Sequence, residues 1–405
     1  MKKLSIQFSR TFEDSVHVGT LAEERGRIYF EYAADYLSTG TSLSPFRLPF
    51  RGGLFEHTQR EFNALPGLFD DSLPDGWGLL LMDRHFQRLG RPLATMSPLD
   101  RLAWLGTRTM GALTYHPPTA RQDGDSGIFE LHELARQSRE ILAGKATEIL
   151  PQLLRAGGSP GGARPKVLVG YAPTTGEMLS GEESLPPGFE HWIVKFTGAE
   201  DDADAAAIEY AYALMAKAAG IHMPPTQLFE TKDGERFFGV KRFDRAWDRR
   251  YHVHTFGNLI HADFRVPSDY GDLLKATSVL TRSQKEVRRA FRQMVFNVGT
   301  HNRDDHVKNF AFLLDDTSGE WALTPAYDLT FAAGPGGEHT MTVAGEGKRP
   351  TREHMLHLAK NASIPDKTAH TIMDEMRAAI LSWAQFAEEA GVSKEGRTIV
   401  KRAFP

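Results

Sequence analysis

Hydrophobic periodicity changes twice along this 405-residue chain, and those changes limit its architecture more than any single residue does. Over the first thirty-odd residues the apolar side chains alternate. Leu4, Ile6 and Phe8 share one face, Val16 and Val18 the next, then Ile28, Phe30 and Tyr32, with Gly19 and Gly26 near the turns. Alternation with period two marks half-buried strands. Helices are expected after Pro74 through His85 to Gly90, from Ser97-Pro98 to near Gly106, and over residues 129–142. A glycine-rich break, Gly157-Gly158-Ser159-Pro160-Gly161-Gly162, then leads into the strand-like Lys166-Val167-Leu168-Val169. Residues 191–196 and 237–240 read as further strands. Between them Asp204 is placed to cap a helix whose inner face is Ile208, Tyr212, Met215 and Ala219, with Gly220 at its end.

From about residue 265 the pattern turns mainly helical. Ser283 and Glu286 make a capping-box signature before a helix with Val287, Phe291, Met294, Val295 and Val298 on its apolar face. Residues 310–314 and 321–323 flank Asp315-Asp316-Thr317-Ser318-Gly319 as a hairpin. A long helix is expected from Asp366 to Ala390, closed by Gly391. A chain of this length holds two or three compact units. At 41% hydrophobic and 25% charged it has the material for real cores.

Charge and composition narrow the function. The net charge of −4 gives no global basic field for nucleic acid or anionic membranes, while leaving a local basic patch open. The absence of cysteine removes disulfide scaffolds, thiolate metal sites and cysteine nucleophiles. The start, Met1-Lys2-Lys3-Leu4-Ser5-Ile6, lacks the apolar core of a signal peptide, and no stretch nears the ~18 apolar residues of a membrane span. The cytoplasm is the expected location, without membrane association.

The densest chemistry is His301-Asn302-Arg303-Asp304-Asp305-His306-Val307-Lys308-Asn309, in a loop between the helix that stops at Gly299 and the hairpin. Within it Asp304 and Asn309 have the D-x-x-x-x-N spacing of a kinase catalytic loop. In that arrangement an aspartate accepts or orients the acceptor hydroxyl's proton, and an asparagine oxygen meets a magnesium ion on the phosphates. A hairpin later, Tyr327-Asp328-Leu329 supplies a second carboxylate, and magnesium favours such hard oxygen ligands. Lys195, flanked by Trp192, Ile193, Val194 and Phe196, is an unusual lysine for a buried strand. It reads either as the lysine that grips ATP phosphates, partnered by Glu209 on the next helix, or as a lysine reaching solvent from an edge strand. The glycine break fits neither a Walker A motif nor the kinase G-x-G-x-x-G. Its place just before a strand would let its N–H groups cradle phosphate, with Arg164 and Lys166 adding charge and Ser159 open to phosphorylation.

These pieces resemble the HipA family of bacterial toxin kinases over nearly the whole chain. The resemblance is carried by Ser159-Pro160-Gly161-Gly162-Ala163-Arg164-Pro165-Lys166, the strand with Lys195, Phe243-Asp244-Arg245, the D-x-H-x-K-N string from Asp304 to Asn309, and Tyr327-Asp328. It implies an α+β, two-lobed, protein-kinase-like (HipA-like) fold, with an α/β N-terminal lobe and a mainly α-helical C-terminal lobe. Residues 1–150 would form an N-terminal α/β subdomain, 151–248 the nucleotide-binding part of the N-lobe, and 249–405 the helical catalytic lobe. By the same resemblance Asp304 is the catalytic base, Asn309 and Asp328 hold Mg2+, and Lys195 contacts ATP phosphates. Gly161, Gly162, Ala163, Arg164, Lys166, Lys241, Phe243, His306 and Lys308 complete the nucleotide site. Ser159 is the autophosphorylated serine, where added negative charge beside the nucleotide would eject the loop. The implied substrate is a protein of translation, notably an aminoacyl-tRNA synthetase. The implied partner is a HipB-type helix-turn-helix antitoxin, through which DNA is met only indirectly.

The chain departs from the family at Arg164, where a glutamine is usual, and at Pro165. The family's L-H-Q-E-D-type stretch is replaced by His252-Val253-His254-Thr255-Phe256-Gly257. Other readings of the same residues are a kinase for a small molecule or lipid, a kinase fold that only binds, and a metal-dependent phosphohydrolase using His301, Asp304, Asp305 and His306. The phosphohydrolase wants His-Asp order and distant helical histidines, and this chain offers Asp-His.

Overall fold

Alternation at the N-terminus becomes an antiparallel sheet. The computed structural model describes all residues except 12, 60–61, 120–129, 146–148, 150, 158–161, 181–183, 199–202 and 405. The chain divides into two units, Met1–Asp201 with Phe229–His254, and Asp202–Leu228 with Thr255–Pro405.

In the first unit the strands lie in the order Leu54–Glu56, Arg27–Tyr32, Ser15–Glu24, Lys2–Ser9, Leu113–His116. Leu4, Ile6, Leu21 and Phe30 are buried on one face, as the alternation requires, while a bulge opposite Ile6 and Gln7 shifts the register at Val18. A second sheet has the order Met178–Ser180, Lys166–Tyr171, Glu190–Lys195, Arg236–Lys241, Thr226–Glu230. Its inner face, with Val167, Val169, Trp192, Val194 and Phe237, packs on Trp77 and Leu81 of the helix Gly76–Arg88 and on Leu134 and Ile141 of the helix Leu131–Leu142.

The Phe243-Asp244-Arg245 segment after that sheet is a structural knot. Asp244, 2% exposed, accepts from Arg242 Nε (2.9 Å), Arg245 Nη1 (2.8 Å) and the Gly111 N–H (2.8 Å). Burial alone would raise its pKa, but the two guanidinium groups outweigh that and hold the carboxyl well below its usual range. Arg245 and Arg250 also donate to the carbonyls of Thr109 and Gly111, so the segment is stapled to the loop before strand Leu113–His116.

The second unit is mainly helical. In Ala205–Ala218 the expected face is buried, but the Asp204 carboxylate accepts from the Ser393 N–H (3.0 Å) and makes no cap bond to its own helix. Nor does the capping box at Ser283 form. Glu286 instead accepts from Arg289 (2.5 Å) and the Leu323 N–H (3.0 Å), tying its helix to the hairpin Ala311–Leu314/Trp321–Leu323. The expected helix from Asp366 to Ala390 is two helices, Asp366–Leu381 and Trp383–Glu389. At the break the Ser382 hydroxyl bonds the Ala378 carbonyl (3.3 Å), a contact that bends helices. Trp383 then turns inward against Tyr212, 5.6 Å between ring centroids. Among the described residues no helix is long and apolar enough to cross a membrane.

Candidate active site

The helix Gln284–Gly299 buries Val287, Phe291, Met294, Val295 and Val298, as its 3.6-residue pattern dictates. It ends where His301 takes a left-handed backbone (φ 52°), and the polar loop begins. A chain of buried side chains fixes that loop. Asn302 Nδ2 donates to Asn297 Oδ1 (3.0 Å), Asn297 Nδ2 to the Tyr270 hydroxyl (3.0 Å), and that hydroxyl to Asp305 Oδ2 (2.7 Å). Asp305, with no exposed surface, also accepts from His339 Nδ1 (2.8 Å) and from the N–H groups of Thr340 (2.9 Å) and Met341 (3.4 Å). The two ends of the loop turn are thus joined through helix Gln284–Gly299 and helix Tyr270–Thr281. Burial and the neighbouring Asp305 charge push the Tyr270 phenol well above its ordinary pKa, so it stays a donor.

With Asp305 turned inward, its neighbour Asp304 is exposed. Five residues on, Asn309 Nδ2 donates to the Asp304 carbonyl (2.5 Å), which commits the amide nitrogen and leaves its oxygen as the hard donor. The Tyr327 hydroxyl bonds the Lys308 carbonyl (2.7 Å), and Asn302 Nδ2 reaches the Asp328 carbonyl (3.4 Å). Tyr327-Asp328 is therefore fastened to the loop at both Asn302 and Lys308. Asp328 itself sits in a left-handed conformation (φ 53°), which aspartate tolerates better than bulkier residues. The Asn309 amide oxygen and the Asp328 carboxylate are hard oxygens of the kind magnesium prefers. Among the described residues no cluster of three His, Cys, Asp or Glu could hold a metal by itself.

His306 and Lys308 have local tasks. His306 Nδ1 accepts from the Lys308 N–H (3.2 Å) and caps the short turn Val307–Asn309, while Lys308 Nζ lies 5.2 Å from the centroid of the Phe264 ring. His301, flanking the loop, has its pKa lowered to about 4 by burial and then by Arg303 and His339, so it is neutral at pH 7.

In the first unit Lys195 occupies the central strand of its sheet, which removes the edge-strand explanation. It stands directly opposite Lys166. Both are on the face away from the apolar core, where the alternation also puts Leu168, Ile193 and Val240. Like charges directly across a strand pair are unfavourable. The strand's approach is clamped to the start of helix Gly76–Arg88: the Gly162 N–H donates to Asp75, the Trp77 N–H to the Gly162 carbonyl (3.0 Å), and Trp77 Nε1 to the Lys166 carbonyl (3.1 Å). Gly76 is required there, because a Cβ would lie 2.6 Å from the Gly162 carbonyl oxygen and 2.7 Å from Ala163 Cα. The Gly162 N–H expected to cradle phosphate is thus engaged by Asp75. Ala163 and Arg164 are exposed, Lys241 pairs with Glu190 (2.7 Å), and Phe243 is half-buried. Ser159 and Gly161 lie outside the described residues.

Sequence reasoning missed Asp75, Asn297, Tyr270 and His339, which come from four distant segments. It also had no sign of Ser44, His254 and Asp71, whose contacts (2.9 Å from Ser44 Oγ to His254 Nε2, 2.5 Å from Nδ1 to Asp71) mimic a hydrolase triad. Ser44 and His254 have no exposed surface, so no substrate can reach the hydroxyl, and the trio serves as an internal strut.

Residues 11–116 match the HipA N-terminal domain and residues 158–384 the HipA-like C-terminal domain. The curated protein named "Putative kinase Y4dM" of Sinorhizobium fredii (strain NBRC 101917 / NGR234) is 25% identical over 414 residues, spanning 93% of this chain and 92% of that protein. A solved complex of HipA, HipB and operator DNA from Shewanella oneidensis MR-1 contains a chain that superimposes with a TM-score of 0.72 at 16% identity, over 98% of this chain and 94% of that one.

Proposed function

This chain belongs to the HipA family, and from that premise we propose that it is an ATP- and magnesium-dependent protein kinase acting on serine or threonine, the toxin of a toxin–antitoxin pair. The observation that carries the reading is the loop in which buried Asp305 anchors exposed Asp304, with Asn309 and the Tyr327-Asp328 segment fastened to the same turn. Asp304 is the general base: it orients the acceptor hydroxyl and takes its proton as the oxygen attacks phosphorus. Asn309 Oδ1 and the Asp328 carboxylate would hold magnesium, which when bound neutralises developing charge on the phosphates. Lys195 and Lys166 would receive phosphate oxygens. Leu168, Ile193 and Val240 offer an apolar surface for a nucleoside.

Ser159 in the glycine loop is the proposed autophosphorylation site. The likeness to a HipA crystallised with HipB and operator DNA supports a HipB-type antitoxin as partner, with DNA reached through it. The acceptor protein is proposed to be one of translation, an aminoacyl-tRNA synthetase among them, met in the cytoplasm. The nucleotide site is tested by ATP binding with and without magnesium in wild type and Asp328→Ala. Magnesium should tighten binding at least tenfold in wild type alone, and equal magnesium dependence in both proteins would remove Asp328 from the site.

A further inference from the structure

The unit that holds the catalytic loop also carries a concave basic surface that the phosphotransfer reading does not use. A cavity of about 430 Å3 opens between the helices Gln284–Gly299 and Asp366–Leu381, lined by Lys285, Arg288, Arg289, Arg292, Lys367 and Thr368. Five cations therefore face one cavity in a protein whose net charge is −4. Lys285, Arg288, Arg289 and Arg292 are spaced by three and four residues, so they stack on one helical face and repel each other. Lys285 and Lys367 also stand in the first turns of their helices, where the backbone dipole disfavours cations. Neither helix has a side-chain cap at that end. Sequence choices that oppose stability on two counts at one place point to a ligand that relieves both.

The cavity is also organised. Arg289 donates to the carbonyls of Leu323 (2.9 Å) and Thr324 (3.1 Å) and to His222 Nδ1 (3.0 Å), and it pairs with Glu286. Arg292 donates to the Ala219 carbonyl (2.7 Å) and pairs with Glu375 (2.5 Å). These two guanidinium groups are held before any ligand arrives, whereas Lys285, Arg288 and Lys367 are exposed and make no ion pair among the described residues. Glu286 and Glu375 leave the five cations in excess, and Asp366 stands beside Lys367 at the rim.

We propose that this cavity binds a small, multiply charged phosphate anion, either an inorganic oligophosphate or the phosphate chain of a nucleotide. The exposed Lys285, Arg288 and Lys367 groups and the uncapped helix N-terminal N–H groups are the donors such an anion takes, in the field of the fixed charges on Arg289 and Arg292. The volume lies within the roughly 300–1,000 Å3 of small-ligand sites, and the cations converge on a concavity rather than spreading in the stripe a nucleic-acid duplex would follow. The site is separate from the phosphotransfer residues and stands whether or not the kinase reading holds.

Calorimetric titration of inorganic triphosphate and of UTP into wild type and a Lys285→Ser/Arg288→Ser/Lys367→Ser variant tests it. Those three side chains are exposed and their mutual repulsion goes with them, so the variant should melt no lower than wild type; Arg288→Ser alone is the fallback. The expected result is triphosphate binding in wild type that weakens at least tenfold in the variant. UTP binding equally well assigns the site to phosphate chains in general, and UTP binding tenfold tighter assigns it to nucleotides. Equal triphosphate affinity in both proteins, or none in wild type, overturns the proposal. So does a wild type that ignores triphosphate yet binds duplex DNA through the same three residues.

Discussion

Replacing Asp305 by asparagine keeps the shape of a side chain with no exposed surface while changing its charge and half of its hydrogen bonding. The Thr340 and Met341 N–H groups keep an oxygen acceptor. The other oxygen, which receives the Tyr270 hydroxyl at 2.7 Å and His339 Nδ1 at 2.8 Å, becomes an NH2 group that faces two donors. Tyr270 cannot simply reverse its role, since Asn297 already donates to its oxygen at 3.0 Å. Two charge-assisted bonds are lost and buried donors are stranded, a cost of about 3–5 kcal/mol. At roughly 2–4 °C per kcal/mol for a unit of this size, melting should fall by about 6–20 °C. Thermal unfolding followed by circular dichroism reads this directly, and phosphotransfer should fall with it because Asp304 is the next residue. A variant that melts within about 2 °C of wild type would refute the idea that Asp305 organises the loop.

Lys195→Met should lower ATP affinity at least tenfold, seen by fluorescence titration, without loss of melting temperature, because it relieves the repulsion opposite Lys166. Gly76→Ala should push Gly162 and Ala163 away and raise hydrogen exchange at the start of strand Lys166–Tyr171, and unchanged exchange there would contradict the clamp. Stability should also fall on acidification. The His252 pKa is lowered to about 4 by burial and then by His254, against an ordinary 6.5, so the unfolded chain binds the proton first. Its contribution is full above pH 6.5 and fades towards pH 4, by about 3 kcal/mol at most. His252→Gln should flatten that part of the melting-temperature profile, and an unaltered profile would exclude His252 as a source.

The candidate site residues are more legible in the sequence than the scaffolding that holds them. Asp304, Asn309 and Asp328 stand out in sequence because their types and spacing belong to one loop and the hairpin beside it, a local signal. Lys195 stands out because a charge among Trp, Ile, Val and Phe has to be explained, and its place in the central strand removes the edge-strand explanation. What holds these residues is non-local. Tyr270, Asn297 and His339 converge on Asp305 from separate segments, and nothing in their neighbours foretells it. Asp75 closes on Gly162 across 87 residues. Local rules failed where tertiary partners outbid them: Glu286 left its capping box for Arg289 and Leu323, Asp204 bonded Ser393, and Ser382 broke a pattern that reads as one helix. The helix Lys394–Ala403 passed unnoticed because only its Gly396 and Val400 are buried.

Intact-mass spectrometry after incubation with ATP and magnesium, for dephosphorylated wild type beside Asp304→Gln, tests the central claim most directly. One added phosphate on wild type, mapping to Ser159 and absent from the variant, is the predicted result. Equal phosphate gain by the Asp304→Gln protein would contradict the assignment of Asp304 as the base, and no gain by a wild type that binds ATP tightly would contradict self-phosphorylation of the glycine loop.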